Sequence, residues 1–335
     1  MPTISDVSRV AGVSEKTVIR AVNSSPLLAD AVLERVRLAV AETGYVPGPD
    51  VRKTPDRRTG PQVLLVHDCC PQPHLADVME GMLSALESSK YVLGIVRMDS
   101  ASGNLERKFS DTLESVRPFA CLIMPSLAMH GSLAGLAWEY GSRCVALAAE
   151  RDPAIFASVI SPERQGCADA VHRLAELGHR RIGFVASEDD PCARQRELGY
   201  LDAMAELELD RGPALIAGGD GGFDAGFDAA GEMMDISPAP TAILACTDEA
   251  AAGVIRAARM KRVDVPGQLS VVGFGDTPLA AQLTPGLTTV HVPMREMARS
   301  ATLRLLDPQD SVSEVHMMPA YLIERDTVGA IASTG

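Results

Sequence analysis

A short predicted helix near the start of the chain gathers the side chains best suited to reading nucleic acid. Ser14 is a favourable N-cap for a helix over residues 15–22, and the spacing of Val18 and Val22 turns both valines inward. The outward face of that helix carries Glu15, Lys16, Thr17 and Arg20. The planar guanidinium of Arg20 can donate two hydrogen bonds to O6 and N7 of one guanine, worth about 1–3 kcal/mol of base discrimination. Arg20 is therefore the first candidate for direct base reading.

Two further predicted helices position this outward face. The first starts at Thr3, which forms a capping-box-like pair with Asp6 three residues on. Its apolar face consists of Val7, Val10 and Ala11. Gly12 then breaks it, because glycine tolerates the left-handed backbone of a tight turn. The third helix is expected over about residues 30–43 and ends before Gly44. Its apolar stripe consists of Val32, Val36, Ala39 and Val40. The pattern predicts an all-α, trihelical head over residues 1–46.

Residues 47–61 have the composition of a linker. This stretch contains four prolines and four basic residues, with no apolar periodicity. Its basic side chains are Arg52, Lys53, Arg57 and Arg58. Cations in such a segment suit contacts with phosphates, with Arg52 and Lys53 as the candidates nearest the head. A disordered tether is the alternative interpretation.

From residue 62 onward, short apolar runs alternate with amphipathic helical stretches. The runs are residues 62–68, 91–98, 119–125, 144–149, 181–187, 214–220, 241–248 and 269–276. The clearest helical stretches are residues 76–88, 162–177 and 193–208. Continuous apolar strands between helices are typical of parallel sheets covered on both faces. Eight such units exceed one ordinary doubly wound sheet, so we expect two α/β lobes with a ligand cleft at the carboxyl ends of their strands.

Composition narrows the function classes. The net charge is −13, but the first 60 residues hold nine basic against seven acidic residues and form the only positive segment. No apolar run reaches the roughly 18 residues of a membrane span, and no signal-peptide pattern is recognisable. The seven cysteines include no CxxC pair, so neither a zinc site nor a disulfide framework is indicated. We expect a cytoplasmic protein without cofactor or metal.

Several short motifs follow one another in order along the whole chain. The head carries Thr3-Ile-Ser-Asp-Val, Ala11-Gly-Val-Ser14, Thr17-Val18, Arg20 and Asn23. The remainder carries LGHRRIGFV (177–185), RELGY (196–200), PTAILACTDEAAAG (240–253), VPGQLSVVGFGD (265–276) and PGLTTV (285–290). Together these motifs resemble one family of bacterial regulators, the lactose-repressor (LacI/GalR) type. The resemblance implies a helix-turn-helix headpiece and a periplasmic-binding-protein-like effector and dimerisation domain over residues 62–335. Lobe one would comprise about residues 62–158 and 290–318, and lobe two about 159–289 and 319–335.

The resemblance also assigns roles within the headpiece. It places Glu15, Lys16 and Arg20 at base-reading positions, with Glu15 able to accept from cytosine N4; a solvated charged face is the alternative. Residues expected to hold phosphates or cap helices are Thr3, Ser14, Thr17 and Asn23. Ile19 departs from the family's usual serine. The linker departs further, because Thr54 stands where the family has a leucine wedge for the minor groove, and the flanking Pro55 would stop a helix there.

In the cleft, the resemblance assigns Arg196 to an arginine that clamps ligand oxygens; a surface salt bridge is the alternative. Asp248 ends a strand where an Asn-Asp pair usually stands and is a candidate contact or a helix cap. Asp276 is a third candidate, although the family's aspartate position falls on Gly275. Other departures are Thr247, Gly221 and Ser161 at polar or aromatic anchor positions, so a generic sugar effector is not implied. From lobe one, the candidates at strand ends are His74, Ser126 and Arg151, with His67, Asp68 and Met124 nearby.

These features predict a sequence-specific transcriptional regulator rather than an enzyme. We expect a repressor, acting as a homodimer or higher oligomer on pseudo-palindromic duplex DNA and controlled by a small molecule bound between the lobes. A regulator independent of effector, or dependent on a corepressor, is the main alternative. A solute-binding protein or an enzyme on the same fold is more distant, since no GxSxG, P-loop or HExxH motif occurs. The sequence leaves open the effector's identity, the sign of its action, the operator and the choice between dimer and tetramer.

Overall fold

The computed structural model describes residues 3–22, 30–43, 60–68, 74–128, 130–149, 158–187, 190–307 and 315–331. Its helices are α1 (Ile4–Ala11), α2 (Glu15–Val22), α3 (Asp30–Thr43), α4 (Leu75–Leu86), α5 (Leu105–Val116), α6 (Pro125–Ala128), α7 (Ser132–Glu139), α8 (Glu163–Glu176), α9 (Pro191–Glu206), α10 (Phe223–Asp235), α11 (Asp248–Met260), α12 (Pro278–Gln282) and α13 (Met294–Leu306). Its strands are β1 (Gln62–Asp68), β2 (Val92–Met98), β3 (Ala120–Ile123), β4 (Arg143–Ala148), β5 (Ser158–Ile160), β6 (Ile182–Ser187), β7 (Ile216–Gly219), β8 (Ala242–Ala245), β9 (Ser270–Gly275), β10 (Thr288–His291), β11 (Val315–Met317) and β12 (Tyr321–Ile323). None of the helices within these ranges combines the length and apolar character that a membrane crossing needs.

The three N-terminal helices pack around a small apolar core of their own. Val7, Val18 and Val36 are fully or almost fully buried, and Ala11 and Ala39 complete the core. Val10, expected on the inner face of α1, is exposed instead. Because three valines from three helices meet, the apolar spacing read from each helix specifies one compact head.

Two compact units are distinguished by their internal contacts. The first unit consists of residues 1–160 and 295–316, and the second of residues 161–294 and 317–335. The chain therefore crosses between units three times. The second crossing was predicted near residue 289; it lies after β10, because Thr288–His291 pairs in parallel with β9 of the second unit's sheet.

Each unit is built on a six-stranded sheet. In the first sheet the order is β11-β5-β4-β3-β1-β2, with parallel pairing from β5 through β2. Its strands β1 and β3 are almost wholly buried, and α5, α6 and α7 pack on one face. In the second sheet the order is β12-β10-β9-β8-β6-β7, with only β12 antiparallel to its neighbour. This architecture confirms the predicted fold class, a helical headpiece followed by doubly wound parallel sheets.

The carboxyl ends of β6, β7, β8 and β9 meet at one edge of the second sheet. Helices α9, α10 and α11 begin directly after the first three of these strands. In an open parallel sheet, this edge is where ligands bind. The fold thereby brings together loops that lie about 30 residues apart in sequence.

Candidate DNA-binding and effector sites

The start of α1 is fixed by a reciprocal capping box. The amide of Asp6 donates to the Thr3 hydroxyl oxygen at 3.4 Å, and the amide of Thr3 donates to the Asp6 carboxylate at 2.8 Å. The Thr3 hydroxyl also donates to that carboxylate at 2.7 Å. These bonds, with the side-chain bond foremost, lower the pKa of Asp6 below its usual value. Gly12 ends α1 at φ +63°, in the left-handed region expected of it. Thr3 therefore has the cap geometry that was one of its two predicted roles.

The start of α2 is fixed in the same way. The Ser14 hydroxyl accepts a hydrogen bond from the amide of Thr17 at 3.1 Å and lies 2.8 Å from the Thr17 hydroxyl. The Ser5 hydroxyl donates to the carboxylate of Glu15, which connects α1 to α2. Glu15, predicted as a base contact, thus has one carboxylate oxygen occupied within the head. The Ser14–Thr17 bonds thus cap α2, and the Ser5–Glu15 bond joins it to α1.

Other predicted DNA contacts lie partly or wholly outside the described residues. The backbones of Lys16 and Arg20 belong to α2, but their side chains are not described. Asn23, Arg52 and Lys53 fall entirely in undescribed segments. Their DNA contacts remain predictions.

The guanidinium of Arg196, predicted to clamp an effector, lies buried at the carboxyl edge of the second sheet. Its Nε donates to the Glu163 carboxylate at 2.6 Å, and its Nη1 donates to the Cys246 carbonyl at the end of β8 at 2.5 Å. Its central carbon lies 4.4 Å from the centroid of the Phe274 ring. Burial alone would lower the pKa of Arg196, but the charges of Glu163 and Asp190 outweigh burial and raise that pKa above its usual value. The arginine is therefore charged, held rigidly and paired.

Beside Arg196, the ends of β6, β7 and β8 form a tight polar corner. Thr247 caps α11: its hydroxyl accepts from the amide of Ala250 at 2.9 Å and donates to the Gly221 carbonyl at 2.6 Å. Gly221 has φ +77°, and a methyl group there would lie only 2.9 Å from the Ser187 side chain. The Ser187 hydroxyl is buried and has no hydrogen-bond partner among the described residues. A buried hydroxyl of this kind is an available contact for a ligand.

Asp248 has a structural environment that differs from both predicted roles. Its carboxylate, 1 % exposed, accepts from the amide and hydroxyl of Thr277 at 2.6 and 2.9 Å and from the Thr289 hydroxyl at 2.5 Å. Thr247, not Asp248, caps the helix. With both oxygens occupied, Asp248 joins α11 to the end of β9 and to β10. The cap role is corrected, because Thr247 holds it, and this geometry does not support the prediction that Asp248 contacts an effector.

Asp276 is likewise engaged within the second unit. It follows Gly275 at the end of β9 with φ +53°, a left-handed conformation. One carboxylate oxygen accepts from Arg325 Nη2 at 2.6 Å, and the other lies 2.9 Å from His291 Nδ1. The turn at Gly275 directs this carboxylate to Arg325 and His291. This geometry does not support the prediction that Asp276 contacts an effector.

In the first unit, the predicted contacts lie at separate strand ends. His74 directly precedes α4, and its Nδ1 lies 3.8 Å from the Asp77 carboxylate, whose pKa it lowers. Ser126 lies on α6 after β3, and its hydroxyl is buried without a partner among the described residues. Arg151 lies outside the described ranges. Ser126 thus resembles Ser187 in offering an unused hydroxyl at a strand's carboxyl end.

Comparisons with known proteins decide the family. Residues 3–48 match the family described as bacterial regulatory proteins, lacI family, and residues 171–328 match a periplasmic binding protein-like domain. The transcriptional repressor CytR of Escherichia coli K12 is 30 % identical over 98 % of this chain and 97 % of its own length. The regulator CelR of Thermobifida fusca is 30 % identical over 95 % of this chain and 97 % of its own length. The solved structure of a CelR-cellobiose complex has a TM-score of 0.70, with 25 % identity over 98 % of this chain and 100 % of that one.

The chain belongs to the lacI family of bacterial regulatory proteins. Its membership confirms the predicted resemblance, and with it the prediction of a DNA-binding transcriptional regulator. The match over residues 3–48 coincides with the head built from α1, α2 and α3. The relatives named above are regulators of transcription rather than enzymes.

Two groups of this lacI-family regulator's second-unit site were not identified from the sequence. Glu163 lies in the first turn of α8, where an acidic residue is expected merely to be solvated, yet it is 4 % exposed and paired with Arg196. Phe274 lies within β9, where apolar residues are expected in any buried strand. Neither position carries a local signal, because each contact depends on how elements distant in sequence pack together. Among the described residues, no cluster of three or more His, Cys, Asp or Glu side chains is placed to hold a metal ion.

Proposed function

We propose that this regulator is a repressor whose operator affinity is controlled by a small polar molecule. The headpiece that matches the lacI family and folds around its own core is the observation that carries this proposal. The α2 face would enter the major groove, with Arg20 reading a base edge and Lys16 adding positive charge. Cations of the linker, Arg52 and Lys53, would act on phosphates. As a DNA-binding protein, it would act in the cytoplasm.

Two copies of the headpiece would bind one pseudo-palindromic operator. A single short α2 contacts few base pairs, so a homodimer reading two half-sites about one helical turn apart gives the necessary specificity. Thr3, Ser14 and Thr17 support this interpretation through the caps that fix α1 and α2. The charge of the remaining chain is strongly negative, which keeps the rest of the protein away from phosphates.

The effector would bind at the carboxyl edge of the second sheet. Support comes from Arg196 and Phe274, held in fixed geometry there, and from the unused Ser187 hydroxyl. A regulator of similar fold has been solved as a CelR-cellobiose complex, and a polyhydroxylated metabolite suits a site with free hydroxyls. An effector that weakens operator binding must itself bind more weakly to the protein–DNA complex than to the free protein. The coupling free energy between the two sites is typically about 1–3 kcal/mol. Relief of repression is the proposed sign.

An operator-selection experiment with the Arg20→Ala variant tests the DNA side. Genomic fragments retained by the wild-type protein are compared with random duplex at moderate salt, by gel shift or anisotropy. Loss of a bidentate guanine contact should weaken specific binding by about 1–3 kcal/mol and leave random-duplex binding nearly unchanged. Arg37→Ala is the control, because Arg37 is an exposed arginine on α3 paired with Glu34. No preference for any genomic fragment in the wild type would refute the proposal, and equal losses on both DNAs would remove Arg20 from base reading.

Engagement of Asp248 and Asp276 favours one second candidate, a regulator that binds its operator without an effector. Both carboxylates are occupied within the second unit, which leaves fewer polar contacts for a ligand. The two candidates differ in one measurement. A polyol or sugar that raises the unfolding temperature and changes operator affinity supports effector control, whereas operator affinity unchanged by every compound in a broad metabolite panel supports the second candidate.

A further inference from the structure

We propose that the second unit's part of the effector site selects uncharged ligands, and that Glu163 is the residue that sets this selectivity. The inference rests on the proposed function, because it concerns the effector site around Arg196. It reverses what an isolated arginine in such a site would predict, namely recognition of a carboxylate or phosphate. In this assignment Glu163 is a positioning residue, since it acts through Arg196.

The positive charge of Arg196 is already neutralised. The Glu163–Arg196 pair has side chains 5 % and 8 % exposed and an N···O distance of 2.6 Å. A pair so deeply buried is poorly screened by water, so an incoming anion would meet a net charge close to zero. The Cys246 carbonyl adds a second acceptor to the same guanidinium. Nη2 donates to no acceptor among the described residues, so it can still donate to a neutral hydroxyl oxygen.

Two further acidic residues, Asp190 and Asp220, follow β6 and β7 at the same edge of the sheet. Asp190 caps α9, and its Oδ1 accepts from the amide of Cys192 at 2.9 Å. Asp220 follows β7, and its Oδ1 accepts from the amide of Gly222 at 2.8 Å. For neither residue does Oδ2 have a hydrogen-bond partner within the described ranges. Both charges act on the thiol of Cys246, whose pKa is raised to about 12, chiefly by burial. A ligand anion would therefore be repelled at this edge chiefly by Asp190, because Asp220 is exposed and its charge is screened by water.

The polar groups left for a ligand suit hydroxyls. Carboxylate oxygens of Asp190 and Asp220 accept hydrogen bonds, Arg196 Nη2 donates, and the Ser187 hydroxyl can do either. A neutral polyol has donors and acceptors for all of these, whereas a carboxylate or a fully ionised phosphate group has acceptors only. Phe274 lies beneath the Arg196 guanidinium and stabilises its charge, not that of a ligand anion. The site is therefore matched to a ligand without phosphate or carboxylate groups.

Replacing Glu163 by glutamine tests this selectivity. The side-chain oxygen of the introduced glutamine can still accept from Arg196 Nε, so the geometry is kept while the neutralising charge is removed. Probes are inorganic phosphate, and ribose and glucose each compared with its phosphate ester, measured by calorimetry and by thermal shift against chloride at equal ionic strength. The wild type should not bind inorganic phosphate and should prefer each parent sugar to its ester. In Glu163→Gln the ratio of ester to parent dissociation constants, or the phosphate dissociation constant alone, should fall at least about tenfold, equivalent to about 1.4 kcal/mol.

Three controls keep the result interpretable. Glu324→Gln breaks an exposed ion pair with Arg173 in the same unit and should change nothing. Adding Arg196→Gln to Glu163→Gln should abolish the gained anion binding. Asp190→Asn keeps a favourable N-cap and removes one acidic charge, so it should also favour anions, and it serves if Glu163→Gln folds poorly.

The inference is overturned if the wild type binds phosphate or a sugar phosphate more tightly than the parent sugar. It is equally overturned if a folded Glu163→Gln gains no anion binding, or, where Glu163→Gln does not fold, if Asp190→Asn gains none. Gel shifts with the same preparations separate this inference from the proposed function. If operator binding is intact but the expected anion binding does not appear, only the selectivity is rejected. If the wild type does not bind an operator, the proposed function as a regulator is rejected.

Discussion

Substitution of Asp248 distinguishes a buried structural carboxylate from a ligand contact. Alanine at this position would leave the amide and hydroxyl of Thr277 and the hydroxyl of Thr289 without their acceptor. A hydrogen bond to a charged group contributes about 1.5–3 kcal/mol, and the two hydroxyls can turn toward other acceptors while the amide cannot. Counting the amide fully and the hydroxyls in part, we expect Asp248→Ala to lower the free energy of unfolding by about 3–5 kcal/mol.

Asparagine at the same position should cost much less. Its amide oxygen can face the Thr277 amide and hydroxyl, while its NH₂ group donates to the Thr289 oxygen. Asp248→Asn removes the charge on the acceptor and the hydrogen bond that the Thr289 hydroxyl donates. We therefore expect it to lower the free energy of unfolding by about 1–2 kcal/mol. An Asp248 that served only to bind an effector would leave stability unchanged in both variants.

Urea unfolding followed by circular dichroism measures these differences. Glu249→Gln is the matched control, because Glu249 is the next residue of α11 but is exposed, and its substitution should change stability by no more than about 0.5 kcal/mol. Wild-type stability in Asp248→Ala, or equal losses in the alanine and asparagine variants, would refute the account of Asp248 as a saturated acceptor.

Two further predictions concern the second unit. Gly226→Ala should lower the free energy of unfolding by about 1–3 kcal/mol, because a methyl group there would lie 2.7 Å from the Ala250 carbonyl carbon, in backbone that cannot turn aside. Gly231→Ala on the same α10 meets nothing within 4 Å and should raise the free energy of unfolding by about 0.5–1 kcal/mol. Similar urea midpoints for the two variants would contradict this. Burial lowers the pKa of His179 below 6.5, despite its bond to the Gly329 carbonyl. As pH falls, the histidine of the unfolded chain therefore takes up a proton before that of the folded chain does. The free energy of unfolding should accordingly fall as pH drops below 6.5. His179→Gln should flatten that dependence of the urea midpoint on pH, while substitution of the exposed His316 should not.

The local elements were largely predictable from the sequence. Helices α2 and α3 occupy the residues predicted for them, because N-caps and apolar spacing act within one or two turns. The eight predicted strands all exist, since buried parallel strands are continuous apolar runs. Four strands were not predicted: β5, β10, β11 and β12 are only three or four residues long, and Thr288–His291 is mostly polar. Shortness alone is not the reason, since β3, β7 and β8 also have four residues but were found from the longer apolar runs around them, whereas β10 has no such run.

The site depended on contacts that no local pattern contains. An aspartate after a strand looks the same in sequence whether it contacts a ligand, caps a helix or accepts hydrogen bonds in a buried network. For Asp248 the sequence suggested the first two roles and not the third. Its acceptor role requires β10 beside β9, which brings Thr289 to it across 41 residues. Arg196 was identified by type and position, but its pairing with Glu163, 33 residues away, follows from how α8 and α9 pack.

The sequence alone thus determined the elements, the family and the residue types available at the sheet edge. Only the tertiary structure decided which charges are already paired and which hydroxyls are left for a ligand. The physical reason is that helix caps and apolar periodicity are local interactions, whereas the pairing of a buried charge depends on the order of strands and the packing of helices distant in sequence.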